Sequence, residues 1–290
     1  MFIQLLIAAL LTGSIYGLIA LGYSLIYKAS GIMNLSQGDL MCLGGFLGYT
    51  FYNLMTLPIW LTLICTVVCT FFIGCLLEKF VIRPIFKRKV STSALILATV
   101  AISYIVQSVE LVIWGGTPLR LKSFLSVPTI KIGGVIYQTE SLLCIGIAFL
   151  CMIALHIFMK KTSFGIAMRA AAMDQDAARS CGINVDATTR VTWAISVSVA
   201  GLAGILVGPL YGVTTTLGTS MSAKGFASAV IGGYGDMYGA LIGGGVLSAL
   251  ETFAAGYISS SMKQIIAYVA VLIVLFVRPR GILNVESISD

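Results

Sequence analysis

One short polar stretch, Gly31-Ile-Met-Asn-Leu-Ser-Gln-Gly-Asp39, opens a long apolar run and carries side chains that suit a transport pathway. Asn34, Gln37 and Asp39 bring amide and carboxylate groups to the edge of that run. A carboxylate at the centre of a bilayer costs about 2.5–3.5 kcal/mol on insertion scales, so it usually faces a cavity or a pathway. A second interpretation also fits the spacing: an interfacial loop in which Asp39 stabilises the first turn of a helix through its dipole. We treat these three residues as candidate pathway residues.

Residues 160–190 form the longest polar stretch between apolar runs on the basic side of the chain. Thr162 or Ser163 is placed to cap a helix that continues to Ser180, Gly182 suits the left-handed turn after it, and Asp186 is expected to cap the next span. The small alanine-rich face of this helix suits close docking on another protein, and an ordinary amphipathic surface helix is the alternative. The candidate docking residues are Arg169, Asp174, Asp176, Ala177, Ala178, Arg179 and Gly182.

Glycines are concentrated in a third region, with thirteen between residues 201 and 245. Small-x-x-x-small pairs such as Gly204 and Gly208 favour close contact between helices. The run Gly232-Gly233-Tyr234-Gly235 predicts a helix break, and we expect a broken or re-entrant segment near 225–236. Such backbone is tolerated at membrane depth only where protein or a water-filled cavity surrounds it. Gly232 and Gly233 are therefore further candidate pathway residues.

The motifs of several common enzyme classes are absent from the sequence. It contains no Gly-x-x-x-x-Gly-Lys-[Ser/Thr] phosphate loop, no His-Glu-x-x-His and no Gly-x-Ser-x-Gly. We interpret the single histidine, His156, as a packed and hydrogen-bonded residue of an apolar run. Glu110 and Glu251 are interpreted as carboxylates at span ends or facing a cavity, because nothing in the sequence brings them together. No catalytic residue, metal site or cofactor is predicted, and the chain is not expected to be an enzyme.

The elements that position these residues must be membrane-spanning helices. Of the 290 residues, 58% are hydrophobic and 10% are charged, against roughly 25% charged in soluble domains. The uncharged run 40–77 would form a helix of about 57 Å, nearly twice the thickness of a bilayer core, so it predicts two spans with Pro58 at the turn. Other spans are predicted at 1–27, 90–109, 141–159 and after 191, where Gly208 and Pro209 are expected to end one. The fold class is an all-α polytopic transmembrane bundle of about eight or nine spans, forming a single transmembrane domain over 1–290.

The formal net charge of +7 comes from basic residues that cluster in short loops. The clusters lie at 79–89, 160–190 and 278–280. This distribution is typical of cytoplasmic loops and gives no continuous stripe for a nucleic acid, so no nucleic-acid partner is predicted. Counting spans places the loop of about 160–190 inside the cytoplasm. The loop of about 115–140, whose alternating residues predict a short hairpin, then lies outside.

Four stretches taken together resemble the branched-chain amino acid (Liv-type) ABC importer permeases. They are Gly17-Leu-Ile-Ala-Leu-Gly22, the 31–39 stretch, Gly165-Ile-Ala-Met-Arg-Ala170 with Asp176-Ala-Ala-Arg-Ser-Cys-Gly-Ile-Asn-Val-Asp186, and Arg278-Pro-Arg-Gly-Ile-Leu283. The family's usual His-Gly-Glu is Gln37-Gly38-Asp39 here, which keeps the acidic charge and loses the imidazole. Asp176-Ala177-Ala178-x-x-x-Gly182 resembles the Glu-Ala-Ala-x-x-x-Gly loop by which such permeases dock on their ATPases, with Asp in place of Glu.

The resemblance implies a subunit of the bacterial cytoplasmic (inner) membrane that moves branched-chain or related amino acids by alternating access. It also implies partners: two cytoplasmic P-loop ATPases, a second homologous or identical permease, and a periplasmic or lipid-anchored substrate-binding protein. Alternatives within the superfamily are a sugar (ribose-like) permease and a urea or amide permease. A stand-alone channel or a secondary transporter is a further alternative. It would work without ATP, and the sequence lacks a convincing set of intramembrane charges for coupling ions.

Overall fold

The computed structural model describes residues 2–88, 91–124, 129–132, 135–278 and 281–283. The described residues form α-helices joined by short turns, with one two-stranded hairpin. The elements are α1 (Phe2–Ser30), α2 (Gln37–Tyr49), α3 (Ile59–Leu77), α4 (Arg83–Lys87), α5 (Thr92–Trp114), β1 (Thr129–Ile132), β2 (Val135–Gln138), α6 (Thr139–Lys161), α7 (Ser163–Met173), α8 (Gln175–Ser180), α9 (Val185–Tyr211), α10 (Thr215–Gly232), α11 (Met237–Tyr257) and α12 (Lys263–Val277). Single π-helical turns, Thr50–Leu54 and Glu78–Ile82, continue α2 and α3. Of the predicted basic residues, Lys89 and Arg280 lie outside the described residues.

In the described part of the chain, six helices are long and apolar enough to cross a membrane. They are α1, α3 with the turns that follow it, α5, α6, α9 and α11. By contrast, α2 has 13 residues, α10 has 18 and α12 has 15, each short of the roughly 20 apolar residues that a full crossing takes. The predicted helical membrane bundle is confirmed, whereas the predicted count of eight or nine spans is not.

The helix α9 forms the centre of the bundle. It packs against α1, α2 and α3, and 83% of its most apolar window is buried, compared with 22% for α3 and for α5. Glycines permit this close approach: a Cβ on Gly44 of α2 would overlap the backbone of Gly201, and a Cβ on Gly204 would overlap the backbone of Met41. The predicted role of the 201–245 glycines in helix packing is confirmed at this contact.

Local sequence signals correctly place several element ends. Pro58 lies immediately before α3 and separates it from the α2 segment. The predicted hairpin is also present, with β1 and β2 paired antiparallel and Ile130 opposite Tyr137. The intervening residues 125–128 and 133–134 of this predicted loop lie outside the described residues.

Two predicted interruptions coincide with helix ends. Pro209 lies in the last turn of α9, which ends at Tyr211, so a long apolar helix ends near Gly208 and Pro209 as predicted. The break at the glycine run is confirmed at 233–236, where Gly233 has a φ of +112° and Asp236 begins α11. The rest of the predicted broken segment, residues 225–232, forms the second half of the regular helix α10. A Cβ on Gly232 would overlap the backbone of Gly239, so these glycines serve the packing of α10 on α11.

The segment that enters the bundle irregularly is instead the turn 31–36. It leads the chain from the end of α1 back to Gln37, which is completely buried. The Gln37 side chain reaches Ser196, in the middle of α9, and lies against Gly22, in the second half of α1. The helix α2 therefore begins inside the bundle and not at its surface.

Candidate functional site

The candidate docking region consists of two short helices and not one. Thr162 begins α7, and its hydroxyl accepts a hydrogen bond from the backbone N–H of Gly165 at 3.0 Å. The predicted continuous helix to Ser180 is wrong, because Asp174 adopts an extended conformation and begins α8. Its carboxylate accepts hydrogen bonds from the backbone N–H groups of Asp176 at 2.8 Å and Ala177 at 3.0 Å. An aspartate that satisfies two free N–H groups favours a new helix start over continuation of the old helix.

Most of the predicted docking residues share an exposed surface. Arg169, Asp174, Asp176, Ala177, Arg179 and Gly182 are exposed. Ala178 is the exception, since it is buried against Ala171 and Val185 and attaches α8 to the rest of the protein. Gly182 has a φ of +81°, as the predicted left-handed stop requires. The next helix is capped by the side chain of Asn184, which corrects the prediction that Asp186 is the cap.

A network of ion pairs, which sequence reasoning missed, joins this region to the end of α3. The buried carboxylate of Glu78 accepts hydrogen bonds from Arg83 at 3.0 Å and lies 3.5 Å from Nε of Arg190. Arg83 also donates to the backbone oxygen of Asp186 at 2.7 Å. A cleft of about 350 Å³ beside the network is lined by residues of α1, of the π-helical turn after α3, and of α4, α8 and α9, among them Ser30 and Arg179. The basic residues of these loops predict topology but not their ion-pair partner. The signal that could have identified the partner is Glu78, an acidic residue at the end of a predicted span.

The structure places Asp39 at an open cavity between helices of the bundle. The residue is in the first turn of α2 and is 2% exposed, so it does not lie on an interfacial surface of the chain. Its carboxylate accepts hydrogen bonds from the hydroxyl of Ser103 and from Nε2 of Gln107, the latter at 2.9 Å. The cavity has a volume of about 340 Å³ and lies between α1, α2, α5 and α10. It opens beside Tyr104, whose side chain is exposed.

Asn34 and Gln37 are part of a packing network next to this cavity. The amide of Asn34 donates to Oε1 of Gln37 at 3.1 Å, and its oxygen accepts hydrogen bonds from the N–H and hydroxyl of Ser36. Nε2 of Gln37 donates to the backbone oxygen of Ser196 at 3.1 Å. The Ser196 hydroxyl in turn donates to the backbone oxygen of Gly22 at 2.8 Å. These amides hold the start of α2 between α1 and α9.

Gly232 and Gly233 lie away from the Asp39 cavity, at the opposite end of α10. The short segment after α12 covers them: Ile282 donates to the backbone oxygen of Ile231 at 2.9 Å, and Leu283 donates to that of Gly232 at 3.3 Å. The structure therefore does not bring these glycines together with Asn34, Gln37 and Asp39.

A stripe of polar residues on α5, also missed from the sequence, faces the start of α2. Thr99 accepts a hydrogen bond from the backbone N–H of Leu35 at 3.1 Å, and Ser103 and Gln107 bind Asp39. Glu110 continues the stripe by one turn and is completely buried. The spacing of four, four and three residues on an otherwise apolar helix is the signal that could have found them.

Glu251 is neutralised within a second buried cluster. Nζ of Lys224 lies 2.7 Å from Oε1 of Glu251, and the hydroxyl of Tyr16 donates to Oε2 at 2.8 Å. Glu251 is thus bound by Lys224 and Tyr16 and not by Glu110, in agreement with the prediction that the two glutamates do not form a pair. His156 lies with Nδ1 at 2.7 Å from the hydroxyl of Tyr238, so the predicted packed, hydrogen-bonded role is confirmed. Among the described residues, no group of three or more His, Cys, Asp or Glu side chains is placed to hold a metal ion.

Apolar helices long enough to cross a membrane, with a buried carboxylate at an open cavity between them, are typical of membrane transport proteins. The family model described as "Branched-chain amino acid transport system / permease component" matches residues 5–275. The chain therefore belongs to this family of membrane permease components, and it is not an enzyme.

The chain is similar to several permease proteins of high-affinity branched-chain amino acid transport systems. It is 29% identical to LivH of Salmonella typhimurium and to LivH of Escherichia coli strain K12, with 98% of this chain and 96% of each relative covered. It is 26% identical to BraD of Pseudomonas aeruginosa, again covering 98% of this chain and 96% of the relative. The resemblance expected from the four sequence stretches is thus confirmed over nearly the whole chain.

Proposed function

We propose that the chain is a permease subunit of an ABC importer that moves branched-chain or related amino acids across the bacterial cytoplasmic membrane. The family match over residues 5–275 is the observation that carries this proposal. The names of the similar LivH and BraD proteins favour branched-chain amino acids over sugars, urea or amides as the substrate class. The partners proposed are two cytoplasmic P-loop ATPases, a second copy or homologue of the permease, and an extracytoplasmic substrate-binding protein.

The proposed sidedness rests on contacts between helix ends. Ser30 after the first crossing, Glu78 at the end of α3 and Arg179 of α8 line one cleft, so these ends share a face of the protein. The basic residues near them favour the cytoplasm. We propose nine crossings by α1, α2, α3, α5, α6, α9, α10, α11 and α12, with α2, α10 and α12 completed by their flanking turns. This topology puts residues 115–138 outside and Arg278 inside.

The proposed coupling surface is the exposed part of α7 and α8. Asp176, Ala177 and Arg179 are presented to solvent on a helix that Ala178 anchors, which suits insertion into a groove of an ATPase. Arg169, Asp174 and Gly182 border this surface. In alternating access, ATP binding closes the ATPases, the coupling helices move with them, and the bundle reopens on the other side. The start of α2 at Asp39, held by Asn34 and Gln37, lines the proposed pathway. Gly232 and Gly233 lie at the proposed cytoplasmic end of α10.

Co-purification of the ATPases with the tagged permease tests the proposal. Asp176→Lys reverses an exposed charge at the centre of the proposed surface and is expected to abolish ATPase recovery. Lys122→Asp reverses an exposed charge on the other face and should leave the complex intact. Intact complexes with Asp176→Lys contradict the docking surface. The transport function itself is tested with proteoliposomes that contain the complete complex, where uptake of radiolabelled leucine must require both ATP and the binding protein.

A further inference from the structure

Four acidic side chains are buried in the described part of the protein: Asp39, Glu78, Glu110 and Glu251. Two of them have cationic partners, since Glu78 contacts Arg83 and Arg190, and Glu251 contacts Lys224. Neither Asp39 nor Glu110 forms an ion pair with any lysine or arginine that the structure describes. Of the four buried acidic groups, only these two therefore lack a cationic partner among the described residues.

Glu110 lacks even neutral partners. Its side chain is fully buried, and neither carboxylate oxygen has a hydrogen-bond partner among the described residues. It lies one helical turn beyond Gln107, the residue of α5 that binds Asp39. Burying an unpaired charge costs several kcal/mol, so a carboxylate in this position usually serves an incoming ligand.

The cavity in front of Asp39 has the chemistry that a small aliphatic cation needs. Its volume of about 340 Å³ falls within the range of roughly 300–1,000 Å³ that is typical of ligand sites. The lining combines the hydroxyl-bearing Thr219 and Ser222 with apolar Val100 and with the aromatic Tyr23 and Phe226. Aromatic faces and carboxylates both attract an ammonium group, whereas the apolar wall suits a branched hydrocarbon side chain.

We propose that Asp39 binds the protonated amino group of an aliphatic amino acid as the substrate passes through the bundle. This inference rests on the proposed function and names the group of the substrate that the pathway recognises. The neutral donors Ser103 and Gln107 hold the Asp39 carboxylate in place. Glu110 lies further along α5 and does not line the cavity.

Uptake of radiolabelled L-leucine by proteoliposomes containing the complete transporter, with saturating binding protein, tests the site. Asp39→Asn is expected to lower the initial rate about tenfold, the effect of losing one charge-assisted contact. Asp39→Glu keeps the charge and should retain more of the rate than Asp39→Asn, a difference that a merely structural role would not produce. Ser108→Ala, on the exposed face of α5, is the control and should transport at the wild-type rate. A wild-type rate with Asp39→Asn would overturn the proposal.

Competition on the wild-type transporter keeps the test independent of variant folding. Isoamylamine carries the ammonium group and the hydrocarbon of leucine but no carboxylate, and 4-methylpentanoate carries the hydrocarbon and the carboxylate but no ammonium. Isoamylamine should inhibit uptake, and 4-methylpentanoate at equal concentration should not, with leucine binding to the isolated binding protein measured as the reference for each. Equal inhibition by both, inhibition by neither, or a sodium requirement that Asp39→Asn removes would overturn the assignment, the last in favour of an inorganic cation site. An assembled wild-type complex that moves no amino acid contradicts the proposed function, whereas leucine transport that is indifferent to Asp39 contradicts only this inference.

Discussion

Nζ of Lys224 lies 2.7 Å from Oε1 of Glu251 in the interior of the bundle. The Tyr16 hydroxyl completes the cluster at 2.9 Å from Nζ and 2.8 Å from Oε2. Charge-assisted hydrogen bonds of this length are strong in a low-dielectric interior. Because the three residues belong to α10, α11 and α1, the cluster fixes how these helices pack on one another.

Removing the cation from this cluster should destabilise the protein severely. Lys224→Met leaves Glu251 buried without a partner, and we expect a loss of about 3–5 kcal/mol in the free energy of unfolding. The double variant Lys224→Met/Glu251→Gln removes both charges and should recover most of that loss. Thermal unfolding of the purified protein in detergent measures both effects, with Lys122→Met in the exposed loop as the matched control. A single variant as stable as the control would show that the pair contributes little.

The contact between α2 and α9 should tolerate no added methyl group. A Cβ on Gly44 would overlap the backbone of Gly201, which no rotamer change can relieve. We expect Gly44→Ala to cost about 1–3 kcal/mol and to lower the unfolding temperature. Gly146→Ala on the exposed side of α6 meets nothing within 4 Å, and it should be neutral or stabilising by up to about 1 kcal/mol. Equal unfolding temperatures for the two variants would contradict the close packing of α2 on α9.

The stability of the helix α8 should depend mainly on its N-terminal cap, Asp174. It has six residues, too few for a stable isolated helix, so the two hydrogen bonds to Asp174 are a large share of its stabilisation. Asp174→Ala is expected to cost about 1 kcal/mol and to weaken binding of the ATPases severalfold, because a frayed helix must be reordered on docking. Asp174→Asn keeps the cap and should bind almost normally. Hydrogen exchange at the amides of Asp176 and Ala177, together with ATPase affinity, measures this. Unchanged exchange in Asp174→Ala would rule the cap out.

Local features of this fold could be predicted because their causes lie within a few residues. Pro58 separates two helices, Thr162 begins a helix, and Gly182 ends one in the left-handed region, each through backbone geometry that the residue type determines. The break at Asp174 was missed because a helix through the alanine-rich segment satisfies propensity equally well. Only the competing hydrogen bonds of the aspartate side chain decide between the two conformations.

Contacts between distant helices could not be predicted in this way. Glu251 meets Lys224 and Tyr16, which are 27 and 235 residues away in the chain, and no periodicity of one helix identifies its neighbours in the bundle. The depth within the bundle at which α2 begins could not be predicted either, because a polar turn followed by an apolar run is equally consistent with a helix that begins at the interface. Asp39 was recognised as a pathway candidate from its residue type, but its partners Ser103 and Gln107 depend on how α5 packs.

The ion pairs of Glu78 should transmit movement of the coupling helices to the bundle. Glu78, which follows α3, holds Arg83 of α4 and Arg190 near the start of α9. Arg83 also donates to the backbone oxygen of Asp186 in the first turn of α9. Glu78→Gln removes the charge that both arginines share, so α3 is no longer fixed to the segment that follows the coupling helices. We expect the ATPases to remain bound while leucine transported per ATP hydrolysed falls about tenfold, within the usual range of coupling free energies.

Asp186→Asn is the matched control for this prediction. Its carboxylate lies 3.7 Å from Arg83 and is 45% exposed, so the ion pair contributes little, and the backbone oxygen that accepts from Arg83 is kept. The transport ratio of this variant should stay within about twofold of the wild type, as expected for an exposed pair. Both variants are measured in proteoliposomes as the ratio of leucine uptake to phosphate release, so that a loss of ATPase binding is distinguished from a loss of coupling. A wild-type ratio for Glu78→Gln would show that movement reaches the bundle through other contacts, such as the packing of α7 on α9.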